Sequence, residues 1–354
     1  MHVLVAVLNW GLGHATRTIP VVRLLLERGV KVTLASDGVA LDLLRQEFPQ
    51  LPYAELPGYK VTYPVSGSLM FEMLRHLPAL WQIIREEQRQ VQQIVEAQAI
   101  THIISDNRYG CYSPGIASVI ITHQLKVLIP KTWSPVSLWM NGRIKGRLQK
   151  FNQVWVPDFH AQGVTRAFTE GVAIPHRFVG MLSRFNKSDA VTDQQFVLGL
   201  ISGPENQRSE FERILLQQFE RMHKPTVIVR GLPNSTQSQF RNGVELIDHL
   251  PAADLEALIQ QAEVVVARSG YSTIMDLYQL QKRNVIMVPT PGQAEQEHLA
   301  EEIKRNKLAV VQAQNDFDLQ RALEQLPATS GFTGAHFQQQ QAKEAITDFL
   351  TLGR

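Results

Sequence analysis

His14 is the residue whose type and setting best suit it to move a proton. It follows an apolar run, Val3 to Leu8, and a turn containing Gly11 and Gly13, and it stands where a helical pattern begins. An imidazole changes charge near neutral pH and can take a proton from a hydroxyl. Gly11 and Gly13 let backbone approach a ligand closely. The unpaired N–H groups of the helix that follows suit an anion or a developing negative charge. GLGHAT lacks the third glycine of GxGxxG, so it is not the dinucleotide fingerprint. The plainer alternative is a glycine turn with a helix-capping histidine.

Three further groups carry chemistry-bearing side chains in the first half. Asp106 and Arg108 follow a strand pattern at Ile100–Ser105, and His123 follows another at Val119–Thr122. Residues just past the strand ends of a parallel sheet face its ligand crevice, so these three can share one mouth with His14.

The second half offers three loops. Ser202-Gly203-Pro204 ends a strand and precedes a helix, a turn that can cradle phosphate. Arg268-Ser269-Gly270-Tyr271-Ser272-Thr273 joins a strand to a helix, with Asp276 one turn inside. Its hydroxyls either cap the helix or, with its N–H groups, hold a diphosphate. Asp276 is suited to a ribose diol, or is an ordinary early-helix acid. VPTPGQAEQEHLAEEI, residues 288–303, places Gln293, Glu295, Gln296 and Glu297 at a helix start. Paired hydrogen bonds to sugar hydroxyls are within their reach, although a solvent-facing first turn also favours acids.

The elements that position these groups alternate. Val3–Leu8, Val30–Ala35, Ile100–Ser105, Val119–Thr122 and Val154–Val156 read as strands, the last closing the first half. Thr18–Glu27, with Pro20 in its first turn, and Leu41–Glu47 read as helices, and 66–99 as a long helical region split near Pro78. The second half restarts the rhythm from Phe196–Ile201 and ends with a helical pattern over Ala335–Phe349. Such βα alternation predicts parallel sheets covered on both faces. The polar stretch Ser183–Gln195 marks the change of domain. The expected division is 1–180, 181–334, and a C-terminal helix, 335–354. Two open sheets would face each other across a cleft.

The 354 residues suffice for two such domains, with 44% apolar residues to fill their cores. The 35 basic residues exceed the 33 acidic ones by two, which argues against nucleic acid as partner. Cys111 is the only cysteine, so a disulfide framework is excluded and a cytoplasmic setting is the natural reading. No apolar run reaches the length of a membrane span, and the N-terminus has no signal-peptide pattern. In KTWSPVSLWMNGRIKGRLQK, residues 131–150, Trp133, Leu138, Trp139 and Met140 stand among Arg143, Lys145, Arg147 and Lys150. That mixture suits either an anionic membrane surface or an ordinary core with a basic edge. Met70, Phe71 and Trp81 read as core or groove residues.

On these loops the chain resembles the MurG-like, family 28 glycosyltransferases of GT-B fold. VVVARSGYSTIMD is similar to the family's donor loop, with Asp276 where glutamate is usual; Gln296 matches the first of two sugar-contacting glutamines, and Glu297 replaces the second. The segment at His249-Leu250 resembles the one whose backbone meets the uracil ring, and Ser202-Gly203 the phosphate-side loop. The glycine run before His14 is shorter than the family's, and Ala335–Phe349 is similar to its C-terminal helix, which implies that this helix returns to the first domain. The resemblance implies a metal-independent inverting transferase with no cofactor. Its donor would be a UDP-sugar, held by Gly13, Ser202, Gly203, Leu250, Arg268, Ser269, Gly270, Ser272, Thr273, Asp276, Gln293, Gln296 and Glu297. Its acceptor, on the side of Asp106, Arg108 and His123, would be a small molecule, glycan or lipid, and the inner face of a bacterial cell membrane a peripheral partner. GLGHATR, including Arg17, is also similar to the GxGHxxR segment of the UDP-sugar hydrolase of pseudaminic acid synthesis, which implies water as the alternative nucleophile. Sugar-nucleotide 2-epimerases and a noncatalytic sugar-nucleotide-binding protein are further alternatives.

Overall fold

The computed structural model describes residues 1–59, 69–127, 134–158, 163–185, 194–203, 205–232, 235–333 and 340–352, with the side chains of 69–78, 134–135 and 194 left aside. The chain forms two compact units, Met1–Leu182 with Phe337–Arg354, and Ser183–His336.

In chain order the first unit holds β1 (His2–Val7), α1 (Leu12–Leu26), β2 (Lys31–Ser36), α2 (Gly38–Glu47), β3 (Tyr53–Glu55), α3 (Leu69–Gln98), β4 (His102–Asp106), β5 (Ala117–Ile121), α4 (Ser134–Leu148), β6 (Gln153–Val156), α5 (Arg166–Thr169) and β7 (Arg177–Phe178). Its sheet runs β3-β2-β1-β4-β5-β6-β7, with each pairing parallel. Val3 to Val7 are completely buried, as a central parallel strand covered on both faces requires. The strand order reverses between β1 and β4. Ligands of such sheets bind outside the carboxyl ends of the strands at that point. Val7 pairs with Asp106, so the β1–α1 loop lies beside the end of β4.

The second unit holds β8 (Gln194–Leu200), α6 (Gln207–Phe219), β9 (Thr226–Val229), β10 (Ser238–Arg241), β11 (Val244–Ile247), α7 (Ala252–Gln261), β12 (Ala262–Ala267), α8 (Tyr271–Gln279), β13 (Val285–Met287), α9 (Ala294–Arg305), β14 (Val310–Val311) and α10 (Leu319–Gln325). The order is β10-β11-β9-β8-β12-β13-β14, parallel except for the β10–β11 hairpin. The reversal here falls between β8 and β12, where Leu200 pairs with Ala267. The Ser202-Gly203 turn and the Arg268–Gly270 loop therefore leave adjacent strands. Phe211, Leu215, Phe219, Ile228, Val266 and Ile286 belong to the core beneath them.

Helix α11 (Gln340–Thr351) belongs to the first unit. Phe349 meets the rings of His102 and Trp155 edge-on, at 5.2 and 5.7 Å. His102 Nε2 lies 3.0 Å from the Leu352 carbonyl, and Arg177 pairs with Asp348 at 2.6 Å.

Several expectations about elements need correction. Helix α1 starts at Leu12, so His14 is in its first turn and Pro20 lies well inside it. Burial of Ile19, Val22 and Leu25 outweighs the roughly 3 kcal/mol penalty of an interior proline. Helix α3 continues through Pro78 without a split. The first sheet does not close at Val154–Val156, because β7 adds one more short strand. Lys131, Trp133 and Pro204 lie outside the described residues, as does the start of the helix expected from Ala335, and so do the side chains of Met70 and Phe71.

Candidate functional site

The first unit gathers its chemistry around Asp106. This carboxylate ends β4, is fully buried, and stands 92 residues from His14 in sequence. His14 Nδ1 lies 2.7 Å from Asp106 Oδ1. With Nδ1–H donating to the carboxylate, Nε2 is left as the basic nitrogen. The side chain is 14% exposed, so the ring edge reaches solvent while its partner does not.

Arg17 completes the arrangement. It sits one turn after His14 on the same helix face. Its Nε donates to Asp106 Oδ2 at 2.6 Å, and one terminal nitrogen donates to Oδ1. Thr18 Oγ1 adds a contact to Oδ2 at 3.1 Å. Desolvation favours the neutral acid, but the Arg17 guanidinium and the contacts from Arg17 and His14 outweigh it and hold the Asp106 carboxyl well below the usual carboxylate range. Burial and then Arg17 lower the pKa of His14, against the opposing pull of Asp106. The imidazole is therefore neutral, with the proton affinity of a base, at pH 7.

His123 joins this group through Arg17, whose other terminal nitrogen is 3.1 Å from His123 Nδ1. Arg108 does not. It is fully buried in a second network, where it pairs with Glu87 at 2.5 Å and Asp37 at 2.7 Å and donates to the Val7 and Pro57 carbonyls. Asp37 in turn accepts from Asn9 at 3.0 Å, so Arg108 braces the β1–α1 loop from behind. Asp106 and Arg108 are thus internal supports, not groups offered to an acceptor. Thr18, Asn9, Asp37 and Glu87 were absent from the expected site, and Arg17 entered it only through the resemblance of GLGHATR. Arg17 had local signals, that motif and its i+3 spacing from His14; Glu87 and Asp37 had none.

In the second unit, Ser202 and Gly203 are exposed, with Gly203 at φ +108 and open space where a side chain would stand. The N-terminus of α8 follows Gly270, which supplies no side-chain cap. Ser269 Oγ donates to the Gln296 carbonyl at 2.8 Å, tying the β12–α8 loop to the start of α9. Gln296 itself turns inward. Its Oε1 accepts from the Thr290 N–H at 2.9 Å and its Nε2 donates to Gln293 Oε1 at 2.7 Å. Glu297 accepts from the Gly292 N–H at 2.9 Å. The three side chains thus tie the β13–α9 loop to itself.

Asp276 is half-buried and accepts from Ser183 Oγ at 2.5 Å. Burial, only partly offset by Arg184 and Ser183, pushes its carboxyl up to about 6. Ser272, Thr273 and Leu250 are half-buried, and His249 next to Leu250 is lowered by burial and by Arg184. Arg268 is fully buried and, among the described residues, donates to neutral oxygens.

Away from these loops, α4 exposes Leu138 and Trp139 and buries Met140. Arg143 lies 5.3 Å from the Trp139 ring, and Arg147 4.8 Å from that of Trp81. Among the described residues no helix is long and apolar enough to cross a membrane, and no cluster of His, Cys, Asp and Glu is suited to hold a metal.

The model of the glycosyltransferase family 28 C-terminal domain matches residues 212–350, less than half of the chain. No functionally curated protein matches it. Among solved structures, the glycotransferase of kitacinnamycin is 16% identical, with 98% of each chain covered and a TM-score of 0.69. The spinosyn rhamnosyltransferase SpnG complexed with thymidine diphosphate is 14% identical over 99% of this chain and 96% of its own, at 0.65. MurG of Acinetobacter baumannii is 11% identical over 98% and 94%, at 0.54. The chain therefore has the GT-B fold, two Rossmann-like α/β domains, and its second unit is similar in sequence to family 28 glycosyltransferases.

Proposed function

We propose that the protein is an inverting glycosyltransferase that moves a sugar from a UDP-sugar to an acceptor hydroxyl, without a metal. The observation that carries this reading is the His14–Asp106 pair at the reversal point of the first sheet. His14 Nε2 takes the acceptor's proton as its oxygen attacks the anomeric carbon. The bond from that carbon to the diphosphate breaks, and the departing nucleoside diphosphate keeps the electron pair. Asp106 stabilises the imidazolium that forms. The N–H groups at the start of α8 and the Ser202-Gly203 turn receive the growing charge on the diphosphate. Asp276 accepts from the ribose hydroxyls, and Gln293, Gln296 and Glu297 form the sugar-facing loop.

The thymidine diphosphate in SpnG argues for including dTDP-sugars in the test. Purified protein is incubated with UDP-, GDP- and dTDP-sugars plus a bacterial membrane and metabolite extract, and products are identified by mass spectrometry. A new glycoside formed by the wild type and lost in His14→Ala supports the reading. Free sugar as the sole product, unaffected by acceptor, makes the protein a hydrolase instead. No nucleotide-sugar binding overturns it. The exposed Leu138 and Trp139 beside Arg143, Lys145, Arg147 and Lys150 support a peripheral contact with an anionic membrane. Sedimentation with phosphatidylglycerol vesicles tests that contact.

A further inference from the structure

Three arginines rank among the largest side chains that are fully buried: Arg17, Arg108 and Arg268. The first two have carboxylate partners, Asp106 for Arg17, and Glu87 and Asp37 for Arg108. Arg268 has none among the described residues. Its terminal nitrogens donate to the carbonyls of Val288 and Pro289, each at 3.2 Å, to the Gln207 carbonyl at 3.1 Å, and to Gln314 Oε1 at 2.6 Å. Its guanidinium carbon lies 4.0 Å from the Phe211 ring centroid. Every one of these partners is neutral. A buried cation without a counter-ion is costly and is rarely kept for stability alone.

The placement of the partners is equally informative. Arg268 leaves the end of β12, Gln207 opens α6 after β8, Val288 and Pro289 follow β13, and Gln314 follows β14. One side chain thus pins four strand-end segments around the reversal point of the second sheet. Unmet polar groups gather on the same segments. Arg268 Nε, Gln207 Oε1 and Thr290 Oγ1 are buried and have no hydrogen-bond partner among the described residues.

We infer that Arg268 is the positioning residue of a phosphate-binding frame: it locks these segments together and leaves beneath them a positive charge that only a bound anion compensates. The inference rests on the sugar-nucleotide reading above for the identity of the anion, the diphosphate of a nucleoside diphosphate. Burial brings the Arg268 guanidinium down to about 10, so it keeps its charge at neutral pH. It acts through the loops and the low-dielectric interior, not by touching the ligand. The N–H groups of the loops and of the α8 start make the direct contacts.

The test is calorimetric binding of UDP, uridine and inorganic pyrophosphate to the wild type, Arg268→Met and Arg268→Lys, with thermal melting and amide hydrogen exchange of each. A role confined to packing lowers UDP and uridine affinity alike. The proposed role lowers UDP and pyrophosphate affinity about tenfold or more in Arg268→Met and leaves uridine nearly unchanged. Arg268→Lys keeps the charge but not the fork. It should retain most of the preference for UDP over uridine while the segments around 202–207 and 288–290 exchange faster. If Arg268→Met does not fold, the lysine variant decides. Equal losses of UDP and uridine in Arg268→Met, unchanged UDP affinity in that variant, or loss of the preference for UDP over uridine in Arg268→Lys overturns the inference. Pyrophosphate binding that depends on Arg268, with no nucleotide bound by the wild type, upholds the frame and removes the sugar-nucleotide reading. Failure of the wild type to bind any of the three removes both.

Discussion

Arg17 grips Asp106 through two nitrogens while Asp106 grips His14 through one oxygen. The carboxylate that orients the base is therefore permanently ionised, and the Arg17 guanidinium stands beside both, with one terminal nitrogen 2.9 Å from His14 Nδ1. That arrangement separates orientation from basicity. Asp106 fixes the ring and its tautomer, while Arg17 and burial keep the imidazole unprotonated.

Removing the base should stop the chemistry and spare the fold. His14→Ala should lower turnover about 10²- to 10⁴-fold, with UDP affinity unchanged, in steady-state and calorimetric measurements. Asp106→Asn should cost more widely. It leaves Arg17 buried beside a neutral amide, and breaking such a pair destabilises by about 3–5 kcal/mol. Denaturant unfolding measures that loss directly.

Acidity should act on His14 with a defined sign. Its pKa is depressed on folding, so the folded state binds its proton less readily than the unfolded chain. Its contribution to stability is present above the unfolded value near 6.5 and is lost as pH falls through the folded value. Activity should fall over the same acidic range as the base is protonated. Arg17→Met removes a cation that lowers this pKa, so the acidic limb of the pH–rate profile should move to higher pH. An unmoved limb would show that Arg17 has no electrostatic hold on the base.

Asp276 should give nucleotide binding a second pH dependence. Its carboxyl is raised to about 6, so it accepts two ribose hydrogen bonds only above that pH. UDP affinity should weaken as pH drops from 7 to 5, and Asp276→Asn should be weaker throughout and flat over that range. The linkage to stability runs opposite to that of His14. A carboxyl that is raised on folding stabilises relatively at low pH, and that contribution is lost as pH rises through about 6. Urea titrations of Asp276→Asn and wild type at pH 5 and 7.5 separate the two effects.

The turn that follows β8 should be intolerant of a side chain behind it. Gly231 has φ +67, and a Cβ there would come 2.6 Å from the Ile201 carbonyl, next to Ser202. Gly231→Ala should lose about 1–3 kcal/mol from its dihedral strain alone and more from the contact. Its UDP affinity should fall with its melting temperature. A variant of native stability and affinity would show that the Ile201–Ser202 backbone yields freely.

Much of the architecture was legible because it is written in local patterns. Val3–Leu8 and Val154–Val156 are apolar runs, and each overlaps a strand, β1 and β6. Short or poorly patterned elements escaped. Strand β10, SQFR, is exposed along its length, and β3 is a three-residue edge strand, so neither has a buried face to betray it. Pro20 and Pro78 misled because a proline penalty of a few kcal/mol is smaller than the burial gained by a long helix face.

The sequence by itself determined the alternation of strands and helices, the doubled α/β plan, and the loops on which chemistry could stand. Each of these follows from periodicities of two to four residues and from glycine and proline breaks, which are local properties of the chain. Only the tertiary structure decided which charges meet. It set Asp106 against His14 and Arg17, drew Arg108 away to Glu87 and Asp37, turned Gln296 into its own loop, and left Arg268 without an acid among the described residues. Those outcomes depend on strand order and on burial. Residues some ninety positions apart become neighbours through them, and no local pattern records either.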